Sequence, residues 1–146
     1  MTDSGHIYCI SDLHLCPERP DLFEAFQDFL ANIAKGAHSL YILGDLFNLW
    51  IGDDNPESFN SAVSCALAKL ASQGTKIFIM HGNRDFLLGR QFCESSKATL
   101  IDEPYILECF DKNYLLLHGD SLCTLDTDYM DFRTMVRNSD WQSEFL

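Results

Sequence analysis

Three short apolar runs, separated by segments of helical periodicity, constrain this chain more than any other feature. "HIYCIS" (6–11), "SLYIL" (39–43) and "KIFIM" (76–80) are rich in β-formers and poor in charge. Ile77, Phe78, Ile79 and Met80 form a continuous apolar run, as expected of a strand covered on both faces. Between the first two runs, "DLFEAFQDFLANIAKG" (21–36) places Leu22, Phe23, Phe26, Phe29, Leu30 and Ile33 on one helical face. Asp21 and Glu24 have the spacing of a capping box, Pro20 precedes them, and Gly36 fits a C-terminal stop. A second helix is expected over 58–74, again closed by glycine. Strand–helix–strand–helix–strand predicts right-handed crossovers and a parallel sheet in an α/β fold. Further on, "YILECF" and "YLLLHG" flank "DKN" (111–113) and read as a hairpin. The stretch after 125 is weakly helical. No internal repeat, low-complexity segment or linker divides the 146 residues, so one domain is expected.

In parallel sheets of this kind, functional sites form beyond the carboxyl ends of the strands. Every expected strand here ends in polar chemistry. The first runs into Ser11-Asp12-Leu13-His14 and the second into Gly44-Asp45. The third runs into His81-Gly82-Asn83-Arg84-Asp85, and the hairpin into His118-Gly119-Asp120. Asp12, His14, Asp45, Asn83 and His118 are all oxygen or nitrogen donors, a set suited to Mn²⁺, Mg²⁺, Fe or Zn²⁺. Asp12 and His14, two residues apart, can point the same way at a strand end. A carboxylate such as Asp45 can bridge two cations. Taken singly, each residue has an ordinary explanation. Asp-x-His pairs are common on surfaces, Gly-Asp is a turn dipeptide, and Asn after Gly suits a left-handed turn. A histidine such as His118 is often a satisfied core residue. Four strand ends carrying the right donors in order outweigh those explanations. His6 and His38 read as exposed residues at strand starts, and His81 as structural.

Charge narrows the partners. Ten basic and 22 acidic residues give a net charge of −12, which argues against a binder that tracks nucleic-acid phosphates. An anionic substrate would need a local positive charge, such as a metal ion, in order to approach. The six cysteines form no CxxC pair and mostly lie in apolar stretches, so reduced, mostly buried thiols are expected. Nothing resembles a secretory leader, and no apolar run approaches the roughly 18 residues of a membrane span.

"DLH" (12–14), "GDLF" (44–47), "GNRDF" (82–86) and "HGD" (118–120) resemble the motifs of the calcineurin-like metallophosphoesterases. Arg84 stands where that superfamily usually has histidine. With "YILGDLFNLWIGDD", "HGNRDFLLG" and "HGDSLCT", it resembles the lipid A branch that acts on UDP-2,3-diacylglucosamine. The resemblance runs from about Tyr8 to Arg133, and the motifs agree in spacing and flanks. It implies two packed mixed sheets flanked by helices and hydrolysis of a pyrophosphate to UMP and a 1-phosphate. Two Mn²⁺ ions would be held by Asp12 and His14 on one side and Asn83 and His118 on the other, with Asp45 bridging. Asn83 and Arg84 would contact substrate phosphates, Asp126 would be a substrate-binding acid, and Tyr129 would lie near it. The alternatives are another phosphohydrolase, acting on nucleotides or phosphoproteins, and a relic that holds metal without turnover. The resemblance further implies a cytoplasmic protein, peripheral on the bacterial inner membrane. The family pattern continues with a basic helical insertion and a Gly-His-x-His motif, so residues 1–146 are expected to form the N-terminal part of that domain.

Overall fold

The strands take up the alternation that their sequences impose. In the computed structural model, which describes residues 5–54 and 58–146, β1 (Ile7–Ile10), β2 (Ser39–Leu43), β3 (Lys76–Met80) and β4 (Ala98–Ile101) form one all-parallel sheet in sequence order. Crossovers run through α1 (Pro20–Asn32), α2 (Ser58–Ser72) and α3 (Arg90–Ser96). A hairpin of β5 (Tyr105–Cys109) and β6 (Lys112–Leu116) forms a second, antiparallel sheet, and α4 (Thr127–Val136) and α5 (Ser139–Phe145) follow it.

Alternate residues of β1–β3 face opposite layers, because successive strand side chains point to opposite sides. Tyr8, Ile10, Leu40, Ile42, Ile77 and Ile79 pack among Phe26 and Leu30 of α1, Val63, Leu67 and Leu70 of α2 and Phe92 of α3. Ile7, Tyr41, Leu43, Phe78 and Met80 face the hairpin, where Tyr105, Leu107 and Leu116 meet them. The two sheets expected of the family are thus present, one parallel and one antiparallel, rather than both mixed.

Several local expectations change. Arg19, not Asp21, is the N-cap residue of α1, and no side chain caps it. Asp21 is instead gripped by the guanidinium of Arg19 at 2.7 and 2.9 Å, which removes it from a capping box. Pro20 sits at N1 or N2, where its missing N–H costs nothing. The hairpin turns at Phe110 and Asp111, with φ of 52° and 59°, so Lys112 and Asn113 lie inside β6 rather than in the loop. Two consecutive positive-φ residues in a two-residue loop match the twist of the flanking strands. The thiols are free, as expected, but only Cys93 is buried, and Cys9, Cys65 and Cys123 are exposed. In β1 and α2 the inward positions go instead to Tyr8, Ile10, Val63 and Leu67. His38 is half-buried rather than exposed. No periodic pattern marks α3 or β4 in the sequence. Asp53 makes α3 possible from 36 residues away, because its carboxylate accepts Gly89 N and Phe92 N at 2.8 and 3.0 Å and satisfies the orphan donors of the first turn.

Candidate metal centre

The strand ends do converge, and the backbone bends to make them do so. Beyond β1 and β2 the parallel ladder continues, with Asp12 N donating to Gly44 O, His14 N to Asp45 O and Leu15 N to Leu46 O at 2.9–3.1 Å. Within it, Asp12, His14 and Asp45 adopt left-handed conformations with φ of 55°, 49° and 52°. Such non-glycine residues cost free energy and concentrate at functional sites. The kinks turn all three side chains toward one point beyond the sheet.

Asp45 stands at the middle of the cluster. Its side chain is 3% exposed, and its Oδ1 accepts Arg84 N at 2.8 Å. Oδ2 remains, 3.7 Å from His14 Nε2 and 3.8 Å from His118 Nε2. His14 Nε2 also lies 3.9 Å from Asp12 Oδ1. These separations are too long for hydrogen bonds. They match donors that share a cation, since ligands at about 2.1 Å from one centre lie about 3–4 Å apart. Asp12, Asp45 and His118 each offer an atom within 4.8 Å of the others.

His118 gives a second sign. Its Nδ1 lies 2.8 Å from Leu43 O, and a carbonyl can only accept, so this nitrogen carries the proton. Nε2, left with its lone pair, faces the Asn83 side-chain amide at 3.0 Å, and that amide can turn either its NH₂ to the lone pair or its oxygen to a cation that the two would share. Two glycines leave room for this approach. A Cβ on Gly44 would stand 2.5 Å from His118 Nδ1, and one on Gly82 would collide with the Asp45 carboxylate and backbone nitrogen.

Residues that the sequence reading gave no role hold the cluster in place. Asp85, 1% exposed, accepts Gly82 N and Leu46 N at 2.8 Å, Asp45 N at 3.2 Å and Phe47 N at 3.4 Å. It ties the β2 loop to the β3 loop. Burial pushes its carboxyl above the usual range, with the neighbouring Asp45 charge adding to the effect and the N–H donors opposing it. Glu103 accepts His118 N and Gly119 N at 2.9 and 3.2 Å. The available signal for Asp85 was an acid placed directly after a buried strand, and for Glu103 there was none. His81 is structural, as expected. Its Nε2 donates to Leu88 O at 2.6 Å, and burial holds its pKa below the usual histidine value.

The remaining expected residues lie around this cluster. Arg84 is exposed, and among the described residues its guanidinium has no ion-pair partner. Asp126 is the exposed N-cap of α4 and accepts Tyr129 N at 3.1 Å. The Tyr129 hydroxyl donates to Asp120 Oδ2 at 2.5 Å, and burial followed by the Asp120 carboxylate raises its pKa. Asp120 responds in the opposite direction. Burial works against its ionised form, but hydrogen bonds from Tyr129 and Arg133 prevail and hold its pKa down. Among the described residues, no helix is long and apolar enough to cross a membrane.

A parallel α/β sheet with buried and exposed carboxylates, imidazoles and an amide gathered beyond its strand ends defines a protein with a candidate divalent-metal centre. Residues 5–145 match the calcineurin-like phosphoesterase family, and the chain belongs to it. Members of that family use such a centre. The chain is 53% identical over 137 residues to a UDP-2,3-diacylglucosamine hydrolase of Cellvibrio japonicus, covering 94% of this chain and 57% of the relative. It is 52% identical over 132 residues to a protein of the same name from Pseudomonas fluorescens, covering 90% and 53%. The chain therefore spans about half the length of the curated relatives it matches. The crystal structure of the Pseudomonas putida nuclease MPE shares the fold, with a TM-score of 0.53 and 22% identity over 68% of this chain and 49% of that one.

Proposed function

We propose that this chain is the N-terminal, metal-holding part of a hydrolase that cleaves the pyrophosphate of UDP-2,3-diacylglucosamine, yielding UMP and 2,3-diacylglucosamine 1-phosphate. One observation carries the reading. Asp45 Oδ2 lies almost equidistant from His14 and His118, with Asp12 beside the first and Asn83 beside the second. That spacing supports a reading in which two cation positions share one carboxylate. Asp12 and His14 would hold one ion, Asn83 and His118 the other, and Asp45 would bridge them. The donor set is hard to borderline and suits Mn²⁺. Bound there, two divalent cations supply Lewis acidity at a phosphoryl oxygen and activate water. The names of the relatives at 53% and 52% identity support the choice of substrate.

The chain's own residues do the positioning. Arg84 holds Asp45 through its backbone N–H and has an exposed side chain, whose planar fork can grip two phosphoryl oxygens and offset developing charge. Asn83, beside it, would turn its amide toward the same phosphates. Asp126, exposed at the start of α4, is the proposed contact for a polar part of the substrate, and Tyr129 orders that region through Asp120. A substrate with two acyl chains belongs at a membrane surface, so peripheral association with the cytoplasmic face of the inner membrane is part of the proposal. The net charge of −12 speaks against nucleic acid as the substrate.

Asn83→Ala and His118→Ala test the reading, made in this chain and at the matching positions of a full-length relative. Each is expected to lower Mn²⁺ affinity and UMP release by about 10–100-fold or more, the scale seen when groups around a metal are lost. Rates and affinities near wild type in both would sink the assignment.

A further inference from the structure

We propose that Arg133 and Arg137 of α4 are positioning residues that hold the two loops carrying His118 and Asn83 in register for metal. The inference rests on the metal reading above but on different atoms. The two arginines are four residues apart, so they share one face of α4. Arg133 Nη2 donates to Glu103 Oε2 at 3.0 Å, and its Nε donates to Asp120 Oδ2 at 2.9 Å. The other oxygen of Glu103 accepts the backbone N–H groups of His118 and Gly119. Arg133 thus braces the carboxylate that fixes the His118 backbone, and it grips the side chain two residues further along.

Arg137 acts on the second loop. Its Nη2 donates to Gly82 O at 2.9 Å, while Asp85 holds Gly82 N, so the peptides flanking Gly82 are pinned and Asn83 follows immediately. The guanidinium also lies over the Phe86 ring, 5.9 Å from its centre. Burial, and then the charge of Arg133, lower the pKa of Arg137.

A buried ion network is weak evidence for stability, because desolvation offsets much of the attraction. Glu103, Asp120, Arg133 and Arg137 have side chains only 8%, 7%, 22% and 20% exposed, so that cost is substantial here. What distinguishes this network is its endpoints. Both arginines reach, directly or through one carboxylate, the backbone of a loop that presents a candidate ligand.

The test uses the 146-residue chain, with free Mn²⁺ counted by electron paramagnetic resonance and metal-free amide spectra recorded in parallel. Arg133→Ala and Arg137→Ala are compared with Arg90→Ala, whose exposed side chain pairs, among the described residues, with Glu94 one turn along α3. Both α4 variants are expected to bind Mn²⁺ about 10–100-fold more weakly, the range for groups that orient metal ligands. Arg133→Ala should also shift the His118 and Gly119 amide protons and speed their exchange, and Arg133→Lys should recover part of both effects. Arg90→Ala should change nothing. Wild-type affinity and unshifted amides in folded Arg133→Ala would overturn the proposal. If that variant does not fold, unchanged affinity and unshifted His118 and Gly119 amides in Arg133→Gln and Glu103→Gln would do the same. Failure of the unsubstituted chain to bind Mn²⁺ would strike the metal reading instead, and the amide spectra would still decide whether Arg133 positions His118.

Discussion

The two faces of the parallel sheet are built from alternate residues of the same strands, yet they are packed to different depths. Against the helices, Leu40, Ile42 and Ile79 are 0% exposed and sit in a cluster fed by three helices. Against the hairpin, the buried apolar side chains among the described residues are Tyr41, Met80 and Ile101. An open groove of about 780 Å³ runs between Tyr41 and Phe78 on the sheet and Tyr105 and Phe110 on the hairpin. The outer face of the hairpin leaves Ile106 and Leu115 in solvent. The difference bears on the site. Asp12, Asp45 and Asn83 leave strands anchored in the deep core, whereas His118 arrives from the thinly packed side. Ties to Leu43 O and to Glu103 hold it there. On both sides hydrogen bonds set the loops, through Asp85 on the deeply packed side and through Leu43 O and Glu103 on the thinly packed one.

Equal truncations on the two faces probe this contrast most directly. Ile79→Ala is expected to cost about 2–5 kcal/mol, because the cavity it leaves is enclosed on all sides. Asp85→Asn should come next, at about 1–3 kcal/mol, since an amide can satisfy fewer of the four N–H donors that meet the carboxylate. It should also weaken Mn²⁺ binding, because Asp45 N and Gly82 N lose a common anchor. Leu107→Ala, on the hairpin face, should cost only about 1 kcal/mol, as the side chain is half exposed and the groove lets neighbours relax. Urea unfolding of the three variants measures the stability losses, and titration with Mn²⁺ the change in binding. Losses of equal size for Ile79→Ala and Leu107→Ala would break the comparison.

The smallest expected effect is on pH dependence. Burial lowers the pKa of His81 in the folded chain, so its contribution is complete above the unfolded value of about 6.5. As pH falls below that point the unfolded chain takes up the proton first, and stability is lost until the folded pKa is reached. Removing the imidazole in His81→Gln should therefore flatten the decline of the urea midpoint between about pH 7 and pH 5, relative to wild type. An unchanged slope would show that His81 is not held neutral by its surroundings.

Much of the framework could be read locally. β2 and β3 fall where their apolar runs predicted, and α2 starts at Ser58 as expected. The strand-end motifs carry Asp12, His14, Asp45, Asn83 and His118, whose side chains lie close together. The hairpin was found but its turn was misplaced by one or two residues, because Phe110 gives no hint that it will adopt a positive φ. α3 is only seven residues long, too short to show a period, and it depends on Asp53 from another loop. β4 is four residues long, and two of them, Thr99 and Leu100, are exposed, so it lacked the buried-strand pattern.

By itself, then, the sequence determined the parallel α/β order and the five donors that follow its strands, since periods of two and 3.6 and the chemistry of a donor atom are properties of neighbouring residues. The tertiary structure decided how those donors are aimed. The left-handed kinks at Asp12, His14 and Asp45 follow from loops stitched together in space, and the roles of Asp85, Glu103 and Arg133 rest on hydrogen bonds spanning 39, 15 and 30 residues. Such bonds exist only after the sheet has chosen its neighbours, because a carboxylate or guanidinium carries no local mark of which distant N–H or carboxylate it will meet.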